Sequence, residues 1–476
     1  MRALPRTVAL LAATVLNIAS LTAQETTLPA DANAPQTQAV TPPVWLQGAV
    51  IYEIFPRAFS SQGTLAGITE RLDTLCQLGV NVLWIMPISP TGKEKRLGRL
   101  GSPYSVRDYY AIDPDLGTKA DLTALVQAAH QRKMRVILDM VPDHTSWDSV
   151  MMAHPNFYQH DAAGKIISPH GWSDVAGLNY GDSALRRYMD DMFLYWLKTF
   201  HVDGFRCDAA GMVPTSFWDE LRLRIKRENP DALFLAEASK PELMQHAFDL
   251  DYAWPLLATF SKVIDEGAPA TAIRDTLETQ NAIFPQGTQH MLISDDHDEP
   301  RAVVRHGERG ALAAASLTFT LPGVPLLYNG MEVGDATHSG GSQLFDKVDV
   351  DWTNASFFPY VPFFFHALIE LRKNSPALQH GAIVWLRNSE EQHIVTFLRR
   401  TPEETDLVTV NLSNTPFRGT VEAASGAWKE VSLTSSKPEE NAIPALSLDA
   451  FQTRIFRLIQ PNCQRESWSD LQLLQD

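Results

Sequence analysis

Cysteine is scarce in this chain: three in 476 residues, Cys76, Cys207 and Cys463, with no CxxC pair and no regular spacing. Such usage argues against a disulfide framework or a cysteine zinc site, and leaves a large hydrophobic core to hold the fold together. Cys207 stands beside an aspartate in a strand-like run, where a packing thiol is the expected role and a nucleophile the alternative. Positive charge is also in deficit. Forty Lys and Arg against 56 Asp and Glu leave a formal net charge of -16. A surface of that sign repels phosphate backbones and anionic lipid, so neither nucleic acid nor a membrane surface is expected as the main partner. Beyond the first residues, no apolar run approaches the ~18 residues of a membrane span.

What is present is ordinary folded-protein composition, 45% hydrophobic with 11 Trp and 22 Phe, in a chain too long for one core. Residues 1–23, MRALPRTVALLAATVLNIASLTA, carry two arginines, an apolar stretch and a small residue at Ala23, the pattern of a secretory signal, and imply a secreted or periplasmic protein. Residues 24–43 are rich in Pro, Thr, Gln and Ala and read as a linker.

From residue 44 to 378, short runs rich in Val, Ile, Leu and Phe alternate with stretches of helical period. The strand candidates are AVIYEIF, VNVLWIM, RVILDMV, VDGFRCD, ALFLAEA, FDLDYAW, HMLISDD and VPLLYNG. Eight such runs, apolar on both faces and each followed by a helical stretch, predict a (β/α)8 TIM barrel. An open doubly wound sheet is the alternative, but its Gly-rich phosphate turn is missing after the first strand. An excursion at 145–178, crowded with His, Pro, Gly and Asp, reads as a short loop subdomain after strand 3. Over 379–460 the period becomes two, in AIVWLRN, HIVTFLRR, LVTVNLS, GTVEAAS, WKEVSL and FQTRIFRLI, as expected of a C-terminal antiparallel β-sandwich. Residues 461–476 remain as a tail.

Acids fall at the ends of these runs. Asp139, Asp208, Glu237 and Asp298 stand at or just past the third, fourth, fifth and seventh, and in barrels that end faces the active site. One such Asp is usually a turn cap; four on one rim, with His144, Arg206 and His297, are not readily explained so. Paired carboxylates suit glycoside hydrolysis, one attacking while the other protonates the leaving oxygen. Arg206, two residues before Asp208 on one strand, faces the same way and would hold it ionised.

At these residues the chain resembles the α-amylase family of glycoside hydrolases, glycoside hydrolase family 13. DMVPDHTS, GFRCDAA, LAEAS and ISDDHDEPR are similar to that family's four ordered motifs, and DVAGLNY and GVPLLYNGMEVG to two further segments. The resemblance implies Asp208 as nucleophile, Glu237 as general acid/base and Asp298 as transition-state stabiliser. It also implies that Arg206, His144, His297 and Tyr104 contact the sugar, that Asp139 supports them, and that Arg301 belongs to the substrate-binding set. Three departures bear on substrate. Asp143 and Asp296 stand where the family usually has Asn, and Gly211-Met212 replaces the Lys-His pair of many endo-amylases. Ser105 follows Tyr104 where the exo-acting 1,6-glucosidase branch usually has an acid. The loop PRAFSSQGTLAGI lacks an Asp/Asn ladder, so no cofactor or metal is expected, calcium being possible but unsupported.

Trp147, Phe157, Tyr158 and Trp172 near the rim could stack on sugar rings or pack the loops. If strand alternation persists past residue 292, Asp296 and Asp298 share a face and Asp296 raises its neighbours' pKa values; a turn cap is the alternative reading. The expected function is an exported retaining α-glucan hydrolase cleaving α-1,4 bonds in starch or maltodextrins. An α-glucosidase or transglycosylase acting on short oligosaccharides is the alternative. A non-catalytic scaffold member would have lost one of the three acids, and all three are present.

Overall fold

The computed structural model describes residues 37–337, 342–424, 426–431, 433 and 443–459, so the expected leader, most of the linker, the tail and Cys463 lie outside the described residues. The strands in chain order begin with β1 (Ile51–Ile54), β2 (Val82–Ile85), β3 (Arg135–Met140), β4 (His144–Ser146) and β5 (Val175–Gly177). Next come β6 (Gly204–Cys207), β7 (Leu233–Ala236), β8 (Leu250–Tyr252), β9 (His290–Leu292) and β10 (Val324–Tyr328).

All eight apolar runs become neighbours in one closed barrel, ordered β1-β2-β3-β6-β7-β8-β9-β10, with every pairing parallel. Closure is direct, since Ile51 pairs with Val82 on one side and Leu326 on the other. Alternate residues fill the barrel: Ile51, Val82, Ile137, Leu233, Leu250, Met291 and Val324 form one buried cluster inside. Leu83, Leu138, Phe205, Phe234 and Leu327 face the surrounding helices in another. The entry to β6 has no room for a side chain. At Gly204 (φ +152°) a Cβ would stand 2.2 Å from the Leu233 carbonyl oxygen.

Helix 119–131 starts from a capping box of Thr118 and Asp121, and helix 183–200 from Asp182, which accepts from the amides of Ala184 and Leu185. The stretch GITERLDTLCQLG between β1 and β2 lies in two short helices, 65–69 and 72–78. Arg71 at the break donates to the Phe59 carbonyl and lies 3.6 Å over the Trp352 ring, contacts that a continuous helix would not give it. The excursion is a small hairpin, β4 against β5, with single-turn 3-10 helices between. Among the described residues no helix is long and apolar enough to cross a membrane.

The C-terminal strands are β11 (Ala382–Trp385), β12 (Ile394–Arg400), β13 (Thr405–Asn411), β14 (Phe417–Thr420), β15 (Ala427–Val431), β16 (Ala445–Leu448) and β17 (Thr453–Ile459). Five form an antiparallel sheet ordered β11-β12-β13-β17-β15, and β14 pairs with β16. Ile394, Leu407 and Phe456 of the large sheet pack with Phe417, Leu446 and Leu448 of the hairpin. β16 was not among the expected strands. ALSL is short and, read alone, carries too little alternation to stand out.

Candidate active site

The period-two alternation that fills the barrel also builds the site. Continuing inward from Ile51, Val82, Ile137, Gly204 and Leu250, the next inward positions are Glu53, Trp84, Asp139, Arg206 and Tyr252, at the C-terminal ends of their strands. Asp208 and Glu237 follow just beyond β6 and β7.

Arg206 lies at the centre, fully buried. Its Nη1 is 2.9 Å from both Asp139 Oδ1 and Asp208 Oδ1, and its Nε donates to the Tyr252 hydroxyl at 3.1 Å. Its Nη2 lies 2.8 Å from Glu237 Oε1, an ion pair without hydrogen-bond alignment. One planar guanidinium therefore touches three carboxylates, which a lysine's single ammonium could not do. Glu237 Oε2 also accepts from the Ala209 amide at 2.6 Å. Burial among the other acids lifts the Glu237 pKa to about 8 against the pull of Arg206, although 19% of its side chain is still exposed. Burial likewise lifts Asp139 to about 7, opposed by Arg206. Asp139 has no exposure and accepts from Trp84 Nε1 and the Tyr104 hydroxyl, each at 3.1 Å, so donors rather than water surround it.

The seventh strand contributes through the loop after it. His297 Nδ1 is 2.5 Å from Glu53 Oε1, its Nε2 is 2.7 Å from the Tyr104 hydroxyl, and Asp298 Oδ2 lies at 3.4 Å. Burial disfavours the charged ring, but Asp298 and then Glu53 outweigh it and raise the His297 pKa to about 10. Burial raises the Glu53 carboxyl in turn, so the pair holds a proton between them at neutral pH. Tyr104 stacks on the His297 ring at 5.4 Å, which fixes both rings against each other. Asp298 is the most open of the acids, with 40% of its side chain exposed.

Asp296 does not sit on an extended strand with Asp298, because β9 ends at Leu292. Its Oδ1 accepts from the amides of Asp298 at 3.1 Å and Glu299 at 3.0 Å, a turn cap. Yet it is fully buried, its Oδ2 has no partner, and burial together with Asp298 pushes its pKa well above the ordinary carboxyl value. Asp143 is used differently. Its Oδ2 lies 3.2 Å from His144 Nδ1 and 3.5 Å from His170 Nε2, and Trp172 meets both imidazoles edge-on, 5.3 and 4.9 Å between centroids.

Arg301 is buried and spends its guanidinium inside the protein. Nη2 donates to the Asn329 carbonyl and to Asp335 Oδ2, while the head lies over the Tyr328 ring. It reaches the site by anchoring the chain after Asp298. Among the rim aromatics, Phe157 and Tyr158 are core residues, Trp147 donates to the Ser173 carbonyl under Lys95, and Trp172 remains 37% exposed. Cys207 is wholly buried and its thiol pKa is pushed far up by burial, the packing role expected of it. Among the described residues no group of three or more His, Cys, Asp or Glu is arranged to hold a metal ion.

Four members of the network escaped sequence reasoning: Glu53, Trp84, Tyr252 and His170. Glu53 left a signal, a lone acid inside the apolar run AVIYEIF, which is costly unless paired. Trp84 and Tyr252 look like ordinary strand residues, and His170 lies in an aperiodic loop.

The family model described as "Alpha amylase, catalytic domain" matches residues 34–164 and 170–357. Alpha-amylase MalA of Haloarcula japonica is 30% identical over 79% of this chain, and the chain spans 57% of that relative's length. Among solved structures, a noncanonic maltogenic alpha-amylase, AmyB, from Thermotoga neapolitana superposes with a TM-score of 0.80 at 27% identity, covering 87% of this chain and 100% of that one. An alpha-amylase from Lactobacillus plantarum gives 0.77 at 32% identity, covering 87% and 99%.

Proposed function

The chain belongs to the alpha-amylase family of glycoside hydrolases, and from that premise we propose that it is an exported, retaining α-glucan hydrolase cleaving α-1,4 bonds in starch or maltodextrins. The observation that carries this reading is the contact of one buried guanidinium, Arg206, with both Asp208 and Glu237. Two carboxylates gathered on one guanidinium suit the ~5–5.5 Å spacing of retaining enzymes better than the wider gap that an inverting enzyme leaves for water.

In the first step the Asp208 carboxylate attacks the anomeric carbon as its bond to the leaving oxygen breaks. Glu237 gives that oxygen its proton. A raised pKa keeps Glu237 protonated at neutral pH, as this step requires. In the second step Glu237 takes a proton from water, the water oxygen attacks the same carbon, and Asp208 is released. Asp298, open to the cleft, binds sugar hydroxyls and offsets the positive charge that develops on the ring. Tyr104, His144 and His297 line the cleavage subsite, Asp139 holds Arg206 and Tyr104 in place, and Arg301 acts indirectly by anchoring the turn.

The test is a product time course on maltoheptaose, pullulan, sucrose and trehalose, with anomers followed by NMR. Mixed short α-anomers from maltoheptaose support the reading; initial β-anomers, or no turnover of maltoheptaose, overturn it. Glucose alone, or products longer than the substrate, would favour the second reading, an α-glucosidase or transglycosylase acting on short oligosaccharides. Export rests on the pattern of residues 1–23, and N-terminal sequencing of the mature protein checks it.

A further inference from the structure

Two loops meet beside the acids. Beyond Asp208 the chain passes through Ala209, held at φ +45°, into the 3-10 turn Ala210–Met212. Beyond Glu237 it continues through Ala238 and Ser239 to Lys240. The loops are joined twice. Glu237 Oε2 accepts from the Ala209 amide at 2.6 Å, and Lys240 Nζ donates to the Gly211 carbonyl at 2.6 Å. Cα atoms two residues apart stand at most ~7 Å from each other, so the acid and the ammonium meet neighbouring points of one short turn.

The chemistry of the site decides which sugar passes there. Glu237 protonates the leaving oxygen and so has to face it, which puts the departing sugar next to Glu237 and away from Tyr104 and His297, which line the subsite of the sugar under attack. The joined loops are the part of the rim beside Glu237 that carries neither of those residues. What they present fits a ring rich in hydroxyls. An ammonium has three N–H donors and the Gly211 carbonyl takes one, so two remain for hydroxyl oxygens. Lys240 is exposed, and Met212, 49% exposed, adds an unbranched apolar side chain on the same turn. Room for the lysine's stem comes from the missing side chain at 211, where a Cβ would stand 3.2 Å from Lys240 Cε and 3.4 Å from its Cδ.

We propose that Lys240 is a specificity-determining residue on the leaving side of the cleavage point, its ammonium donating to hydroxyls of the departing sugar while Met212 packs against that ring. The proposal rests on the retaining α-glucan reading of the active site. The test compares maltoheptaose with α-maltosyl fluoride, whose fluoride departs without a sugar in that place. Lys240→Met keeps the stem and removes the donors, so its kcat/KM on maltoheptaose should fall about tenfold while that on the fluoride stays within about twofold of wild type. Lys240→Arg restores donors and should bring maltoheptaose back to within about threefold. Gly211→Ala pushes the stem aside and should lose about threefold on maltoheptaose alone. Equal losses on both substrates in Lys240→Met would make the lysine a tie between the loops that carry the acids, and unchanged values on both would make it a surface residue; either result overturns the proposal and leaves the active-site reading standing. If wild type does not cleave maltoheptaose, the α-glucan reading has failed and the leaving-side role falls with it.

Discussion

The two ends of the same barrel strands bury opposite chemistry. At the lower level the lumen is filled by Ile51, Val82, Ile137, Leu250 and Met291; two residues on, about 7 Å along the strand, β1, β3, β6 and β8 present Glu53, Asp139, Arg206 and Tyr252. Both levels are buried. The lower one stabilises the fold because apolar surface leaves water, while the upper one buries charge and costs desolvation that only pairing offsets. The offset is incomplete, since Glu53 Oε2, Asp295 Oδ1 and Asp296 Oδ2 are buried without partners. Reactivity therefore sits where the fold is expensive to build, and stability comes from a layer that touches no substrate.

The sharpest way to break that contrast is at Asp208. Asp208→Asn should lower kcat on maltoheptaose by a factor on the order of 10⁴ or more with the melting temperature held, because an amide cannot form the covalent bond. Substantial turnover in a preparation free of wild type would remove Asp208 from its role. Next in size is Arg206→Lys, which should cost roughly 10²–10³ in kcat/KM, since one ammonium cannot touch Asp139, Asp208 and Glu237 together. Near-wild-type kinetics there would mean the fork geometry is not used.

The lower layer should answer in the opposite way. Ile137→Ala is expected to cost about 2–5 kcal/mol in urea unfolding. Per folded molecule its kcat should stay within about twofold of wild type; a kinetic loss of the size seen for Arg206→Lys would dissolve the distinction between the levels.

The smallest effect is at Asp296. Because burial raises its pKa in the fold above the ~3.9 of an unfolded chain, the folded state keeps a proton that the unfolded state releases, and stability falls as pH rises above that value. Asn keeps the acceptor for the amides of Asp298 and Glu299 and has no proton to lose. Asp296→Asn should therefore stay active and melt about 2 °C or more higher near pH 8, the gain shrinking toward pH 4. A difference that does not change with pH would show that the carboxyl is not desolvated as described.

The sequence by itself determined the eight apolar runs, their alternation, and the order of the acids along the chain. All three follow from local facts: a strand buried on both faces must be apolar, and a period of two fixes which residues point inward. That is why Asp139, Arg206 and Asp208 could be placed on one rim from spacing alone. Only the tertiary structure decided the pairings. Glu53 and His297 lie 244 residues apart and meet because β1 and the loop after β9 come together once the barrel closes. Arg301 joins the substrate-binding set only through the family resemblance, and nothing in its local sequence shows that its guanidinium turns to Asn329 and Asp335. Asp296 is read as a strand position, but β9 stops at Leu292 and leaves the residue to cap a turn. Each of these depends on where strands end and which partners cross the barrel, and a one-residue change in either redirects a side chain without altering the local pattern.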